Sequence, residues 1–283
     1  MANTVELVTK YVPVLDALYK QESLSSVLDA TTQLNFDGGN AVKVMKVTTT
    51  GLGDYSKTGG YAKGNATVTW ETMALTEDRS AEFEIDRMDN EEALGIAFGA
   101  VANEFTRVNV APEIDAYRFA KYAKTANIGT ATGALADGAA VVAALRAAAT
   151  AMDEAEVPAT DRILFITPTN YGMVEDLDTT KSREVLNRFS KVIQVPQTRF
   201  YSDITLNAGG SSWGYAKSSG GKNLNFLVVA KSAITQVTKL ALPKIFDPDT
   251  NQTKDAWKFQ YRLYHDAFVF ENKTKGVYAH TGA

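Results

Sequence analysis

Hydrophobic and polar positions divide this chain into stretches of different period. Between Asp89 and Ala126, Leu94, Phe98, Val101, Phe105 and Val108 recur at spacings of four, three, four and three, which predicts one face of a helix. Asn103, Glu104, Arg107, Arg118, Lys121 and Lys124 interrupt the pattern, so one stripe is buried and the rest is wetted. Asp89 or Asn90 suits the amino end, and Lys121 with Lys124 suits the carboxyl end of the helix dipole. A continuous helix over this stretch would run roughly 55 Å, the length of a structural spine. Pro112 removes a donor and crowds the carbonyl of Val108, which leaves either a kinked rod or two helices.

Ahead of this stretch the period is two. Val42 to Thr50 alternates as a strand does, Thr67 to Trp70 returns in the same way, and Ala81 to Asp86 alternates again. Gly51 to Asn65 lies between the arms and is rich in glycine and polar residues. The expectation is two β-arms, with Ala81–Asp86 extending the return arm, joined by a long tip. Two strands alone are marginal in water, and a tip of this length often marks a binding loop. An arm supported by another molecule satisfies both facts. Asn3 to Leu28 reads as an amphipathic, partly helical segment with Leu7, Tyr11, Val14, Leu15 and Leu18 on one face and Pro13 as a bend. Such a lone helix needs a surface to lie on, its own body or a neighbour.

Past the spine, Asn127 to Gly138 is a connection of small residues and a domain boundary. Asp137 to Ala155 is an alanine-rich helix, and Ile163 to Thr167 is a short apolar run typical of a buried central strand. Thr169 caps a further helix through Met173 and Val174, and Ser182 to Ser190 suggests another. Phe200–Tyr201 with Ile204 and Leu206 reads as strand, Ala208–Gly221 as a flexible loop, and Leu224–Ala230 as a second buried strand. Trp257 to Tyr278 is aromatic-rich and partly alternating, turns at Asn272–Gly276 and ends in a strand at Val277–Tyr278.

Composition narrows the function classes. With 283 residues, 45% hydrophobic and 22% charged, the chain is an ordinary globular protein large enough for two compact units. A net charge of −4 argues against a dedicated nucleic-acid binder. The absence of cysteine excludes disulfides, thiolate nucleophiles and thiol metal sites. No apolar run reaches the length of a membrane span, and the first residues lack a signal-peptide pattern. The resulting expectation is a soluble protein made and used inside a cell.

Candidate chemistry is sparse. The two histidines, His265 and His280, fall in the C-terminal strands without a zinc-binding spacing, and both read as structural. The serines around Ser211 do not form a nucleophile elbow. Gly214 to Asn223 has the wrong gap for a phosphate loop, and Asn223 stands where a hydroxyl is needed. Asp247, Asp249, Asn251, Thr253 and Asp255 place oxygen donors at alternate positions, as Ca²⁺ loops do. Gln252 replaces the required glycine, and Lys258 the bidentate glutamate, so ordinary turn chemistry is favoured. The expectation is no catalytic residue, no cofactor and no metal. Lys43, Lys46, Lys57 and Lys63 make the hairpin mildly basic, which suits an acidic protein surface better than a DNA groove.

In this order, an amphipathic arm, a long hairpin, a spine, an α/β unit and returning strands resemble the major capsid proteins of tailed bacteriophages, with the Hong Kong 97-type fold. The segments VELVTKYVPVLDALYKQESLSSVLDA, VKVMKVTTTGLGDYSKTGGYAKGNATVTWETMALTEDRSAEFEID, EALGIAFGAVANEFTRVNVAPEIDAYRFAKYA and YHDAFVFENKTKGVYAH carry the resemblance, which covers essentially the whole chain. It implies an α+β fold divided into an N-terminal arm (1–40), an extended β-hairpin or E-loop (41–85), a peripheral P-domain with the spine helix (86–128 and 233–283) and an axial A-domain (129–232).

The resemblance further implies pentamers and hexamers of this chain, closing into an icosahedral shell around double-stranded DNA that is contacted non-specifically. Portal and scaffolding proteins are the other implied partners, without a membrane. The implied location is the virion, after assembly in the host bacterial cytoplasm. Some relatives carry an N-terminal scaffolding segment, whereas this sequence starts at the arm; a separate scaffold or proteolytic removal explains that. Tyr55, Lys57, Tyr61 and Lys63 at the hairpin tip are the candidate intersubunit contacts. Two alternatives stay open: an encapsulin-like shell around protein cargo, and a metal- or sugar-acting enzyme using the Asp247 region or the Ser211 loop.

Overall fold

The structure, a computed structural model, describes residues 23–29, 41–88, 103–177 and 179–283. Most of the predicted arm and the first part of the predicted spine, 89–102, lie outside the described residues.

Strands β1 (Ala41–Thr49) and β2 (Ala66–Ala74) form an antiparallel hairpin in the register Ala41↔Ala74 to Thr49↔Ala66. The expected arms are present, but the return arm stops at Ala74. Strand β3 (Glu77–Asp86), which the alternating pattern had joined to the hairpin, turns away and pairs instead with β11 (Ala256–Val269). Alternation fixes which side chains share a face and leaves the partner strand open. Cross-strand contacts hold the pairing, with Phe83 stacked on the opposed Phe259 at 6.4 Å, Arg262 bonded to Asp78 at 2.6 Å and Lys258 to Glu84 at 2.9 Å. These hydrogen bonds hold both carboxyls below the usual range. Strand β10 (Ile234–Phe246) completes the sheet in the order β10-β11-β3.

Beyond Asn103 the spine is helical. Thr106–Val110 is a π-helical turn, and helix α1 runs over Ala111–Lys124. The Ala111 N–H reaches back to the Thr106 carbonyl, and Pro112 enters the next turn. The wider π turn loosens the i−4 register at the point where a proline ring would collide with Val108. Of the two expected alternatives, the described part is therefore one helical path eased at Pro112.

The remaining unit is a five-stranded sheet in the order β4-β12-β9-β5-β6: β4 (Gly129–Thr132), β5 (Arg162–Ile166), β6 (Lys191–Gln194), β9 (Leu224–Ala230) and β12 (Val277–Thr281). Pairs β5–β6 and β12–β4 are parallel, and β9 is antiparallel to both its neighbours. The expected central strands β5 and β9 are interior and almost wholly buried, whereas the expected connection at 127–138 contains the edge strand β4. Helix α2 (Gly138–Glu154) is capped by Asp137, whose carboxylate accepts the Ala140 N–H at 2.8 Å. A Cβ at Gly138 would lie 2.0 Å from the Met173 carbonyl, so only glycine permits this approach of α2 to α3 (Pro168–Leu177). Thr167, rather than Thr169, is the hydroxyl at the start of α3. Helix α4 (Thr180–Leu186) follows. Within the expected loop at 208–221, Tyr215–Lys217 forms strand β8 and pairs with β7 (Ile204–Leu206).

The main core lies where α1 and α2 meet the five-stranded sheet, with Phe119, Tyr122, Leu145, Phe165 and Leu227 among its members. A much smaller cluster, Leu75 and Val237 with Tyr264 and Phe268 against them, sits at the root of the hairpin.

Candidate functional site

The hairpin is the part of the fold that its own body covers least. From Val47 to Trp70 every residue except Gly60 is exposed. Directly opposed residues of an antiparallel pair share a face, so Met45 with Trp70 and Val47 with Val68 form an apolar ladder on one side. They are 57%, 60%, 48% and 55% exposed, against the usual tendency of such residues. The opposite face turns to the body. There Met73 is buried, Lys46 Nζ meets a Glu271 carboxylate oxygen at 2.7 Å, and the Glu71 carboxylate accepts the Glu271 N–H at 3.3 Å. Burial raises the Glu71 pKa, with the Glu271 charge adding to it.

The tip has a turn of its own. Ser56 and Gly60 exchange backbone hydrogen bonds, and Asn65 and Thr50 close the neck. Of the four predicted contact residues, Tyr55 and Tyr61 come together as an edge-on pair with ring centroids 5.2 Å apart. Lys57 and Lys63 are exposed beside them. The pattern missed Leu52, which is fully exposed on the same tip.

Two buried carboxylates anchor the hairpin root and the segment at 23–29, and nothing in the sequence pattern singled them out. Asp266 accepts from the Thr76 N–H at 3.1 Å, the Thr76 hydroxyl at 3.0 Å and the Tyr117 hydroxyl at 2.8 Å. Lys121 lies 3.3 Å from it. One side chain thus ties the β2–β3 junction to α1 and β11. Asp115 accepts from the Ser23 hydroxyl, the Leu24 and Ser25 N–H groups and Arg199, all within 3.1 Å. His265 lies beside the first hub with its ring edge-on to Tyr117 and its Nδ1 buried without a partner. Burial, with Arg118 and Arg79 adding, lowers its pKa to about 4.

Arg79 of β3 joins three elements. It makes a two-pronged pair with Glu113 at 2.7 and 3.3 Å and donates to the carbonyls of Asn207 at 2.7 Å and Gly214 at 3.4 Å. Beside it opens a cleft of about 530 Å³, with Phe83, Phe105, Pro112, Tyr261 and Leu263 in its walls and Trp213 at one side.

The other sequence candidates are engaged locally. Asp249 and Asp255 pair with Arg87, and Asp247 accepts from Thr250, which holds its carboxyl low. His280 stacks on Phe226 at 5.0 Å, with Nδ1 3.0 Å from Asn225, in a different sheet from His265. Among the described residues no cluster of three or more metal-type ligands occurs.

Compared over its length with solved structures, the chain has the mixed α+β fold of phage capsid subunits, as the Hong Kong 97-type expectation requires. The capsid protein of cyanophage P-SCSP1u superposes with a TM-score of 0.66 at 15% identity, covering 98% of this chain and 93% of that one. The mature capsid of bacteriophage PhiM1 gives 0.66 at 12%, covering 98% and 92%. A virus-like particle from Pyrococcus furiosus gives 0.58 at 11%, covering 91% and 92%. No family model and no curated protein matches the chain.

Proposed function

We propose that this chain is the major capsid protein of a tailed bacteriophage, assembling as pentamers and hexamers into an icosahedral shell around double-stranded DNA. The observation that carries the reading is the hairpin, whose apolar ladder of Met45, Val47, Val68 and Trp70 and whose aromatic tip stand exposed, without cover among the described residues of their own subunit. A lone exposed ladder is unfavourable in water, and shell formation supplies its cover. The fold shared with phage capsids points the same way.

In this reading 1–40 is the arm and 41–85 the extended hairpin region. The spine with β10 and β11 makes the P-domain (86–128 and 233–283), against which β3 of the hairpin region pairs, and 129–232 is the A-domain, whose sheet also takes in β12. Portal and scaffolding proteins are the further partners, the DNA is held without sequence preference, and assembly takes place in the host cytoplasm before the protein resides in the virion. No residue is assigned a catalytic role.

The test is assembly itself, by sedimentation and negative-stain images, with a scaffold supplied where needed. The parent chain forms capsomers or closed particles. Replacement of Gly51–Gly64 by a two-residue Asn-Gly turn keeps the hairpin closed and leaves subunit melting near normal, but abolishes stable shells. A compact 30.7 kDa monomer under every condition overturns the reading. The likeness to the Pyrococcus furiosus particle favours a second reading, a shell around protein cargo. The ultraviolet absorbance ratio of purified particles separates nucleic acid from protein contents.

A further inference from the structure

The return arm of the hairpin joins the body through two residues. β2 ends at Ala74, β3 begins at Glu77, and from there β3 is paired with β11 along its whole length. Whatever direction Leu75 and Thr76 take is therefore the direction of the arm. The arm is a lever: its nine residues span about 30 Å, so roughly 10° of rotation at the root moves the far end by about 5 Å. Backbone torsions left to themselves range far more widely than that.

Side chains of β11 hold the link. Tyr264, Asp266 and Phe268 alternate along the strand and so project to one face. The Leu75 side chain is buried with Val237 against Tyr264 and Phe268. The peptide unit joining Leu75 to Thr76 is gripped at both ends. Its carbonyl accepts from the Tyr264 hydroxyl at 3.0 Å, and its N–H donates to Asp266 Oδ2 at 3.1 Å. A peptide unit is planar, so holding its two polar ends fixes the plane and restrains the torsions on either side. The Thr76 hydroxyl donates to the same oxygen at 3.0 Å. Asp266 is itself fully buried, and its other oxygen accepts from the Tyr117 hydroxyl of α1 at 2.8 Å and from the Ala267 N–H at 2.7 Å. Burial, with the Asp266 charge adding to it, raises the Tyr117 pKa, so that hydroxyl stays a donor. The contacts of the shaft with Glu271 are partly exposed and weaker. We propose that the clamped Leu75–Thr76 peptide is a fixed pivot that sets the hairpin's direction in the free subunit, so that the curvature of an assembly is written into each subunit before it meets a neighbour. The consequence for curvature rests on the shell reading; the pivot itself does not.

Because the chain has no cysteine, a pair of spin labels can be placed cleanly. Thr67→Cys on β2 and Thr150→Cys on α2 are both at exposed positions. Double electron–electron resonance on the unassembled full chain gives a single narrow distance. Tyr264→Phe with Thr76→Val removes two bonds of the clamp while nearly keeping the size of both side chains. This variant widens the distribution by about 4 Å, the sweep of roughly 10° of pivot freedom at Thr67. Tyr215→Phe, which loses a hydroxyl bonded to the Thr198 carbonyl away from the junction, leaves the width unchanged. Where the double change unfolds the chain, Tyr264→Phe alone carries the measurement. Assembled particles of the clamp variant spread in diameter, whereas parent particles share one. A broad distance in the parent, or a parent-like width in the clamp variant, overturns the pivot whatever the particles do. Uniform particles from a variant with a widened distance overturn the link from pivot to curvature. Absence of particles from the parent chain removes the shell reading, and the pivot is then decided by the distances alone.

Discussion

The hairpin and the five-stranded sheet are both β-structure, and they solve opposite problems. In the sheet, Phe165, Leu227 and Val229 are 0% exposed, with Phe119 of α1 packed on Phe165 and Arg162 of the same strand bonded to Ala149 and Asp153 of α2. In the hairpin, Trp70 and Val68 are more than half exposed, and among the described residues its buried cluster is at its root. The sheet draws its stability from within the subunit. The hairpin is shaped by its subunit, and in the proposed shell it is completed from outside it. Side chains of the same chemistry thus have separable effects, folding in one region and association in the other.

That separation is open to direct attack. Phe165→Ala removes a fully buried ring and should lower unfolding free energy by about 3–5 kcal/mol in urea titration. The double change Val68→Ala with Trp70→Ala should move it by less than about 0.5 kcal/mol, as exposed sites do, while particle yield collapses. Comparable losses of subunit stability from the two variants would erase the contrast.

Asp115→Ala strikes the joint between the regions. It removes the buried ion pair with Arg199 and the acceptor of the buried Ser25 and partly buried Leu24 N–H groups, and should cost about 3–5 kcal/mol, the range for breaking a buried pair. Asp115→Asn keeps one acceptor oxygen and should lose less. Equal stability of all three chains in denaturant would show that the hub adds nothing.

His265 gives the joint a pH signature. Its native pKa of about 4 lies below the usual 6.5, so the unfolded chain takes up the proton first as pH falls. The stability it contributes is complete above about pH 6.5 and is lost progressively toward pH 4, by about 3 kcal/mol in all. The facing charges are Arg118 and Arg79, which oppose protonation, and Asp266, which favours it. His265→Phe should remove this part of the slope, visible in melting curves across that range. An unchanged slope would place the acid sensitivity elsewhere.

The smallest effect belongs to the latch on the hairpin shaft. Lys46→Ala breaks a partly exposed pair with Glu271 and should cost about 0.2–1 kcal/mol, less in high salt. A loss above that range would mean that the shaft shares the stability of the body.

How far the sequence was legible follows the same division. Strands β5 and β9 announced themselves because burial on both faces demands continuous apolar residues. β1 and β2 were equally plain, since alternation survives even where nothing yet covers the apolar side. β10 was invisible: it is an edge strand, exposed over its outer half, and carries Pro243, which edges tolerate. Ala81–Asp86 was read as strand but given the wrong neighbour, because its partner strand lies far along the chain, with Gln260 meeting Glu82 across 178 positions. The tip residues were found by composition alone. Asp115, Asp266 and Arg79 were not, since partners 84, 149 and 128 positions apart leave no local signature.

Strand β12 carries a consequence for the life of the molecule. It lies between β4 and β9, and its Thr281 hydroxyl sits 2.8 Å from that of Thr132, 149 positions earlier in the chain. Until position 281 has been synthesised, both flanking strands have an open edge and the buried side chains behind them have no complete cover. The sheet therefore works as a length gauge during translation. A chain interrupted before that point leaves the edges of β4 and β9 open and remains a target for proteases and chaperones.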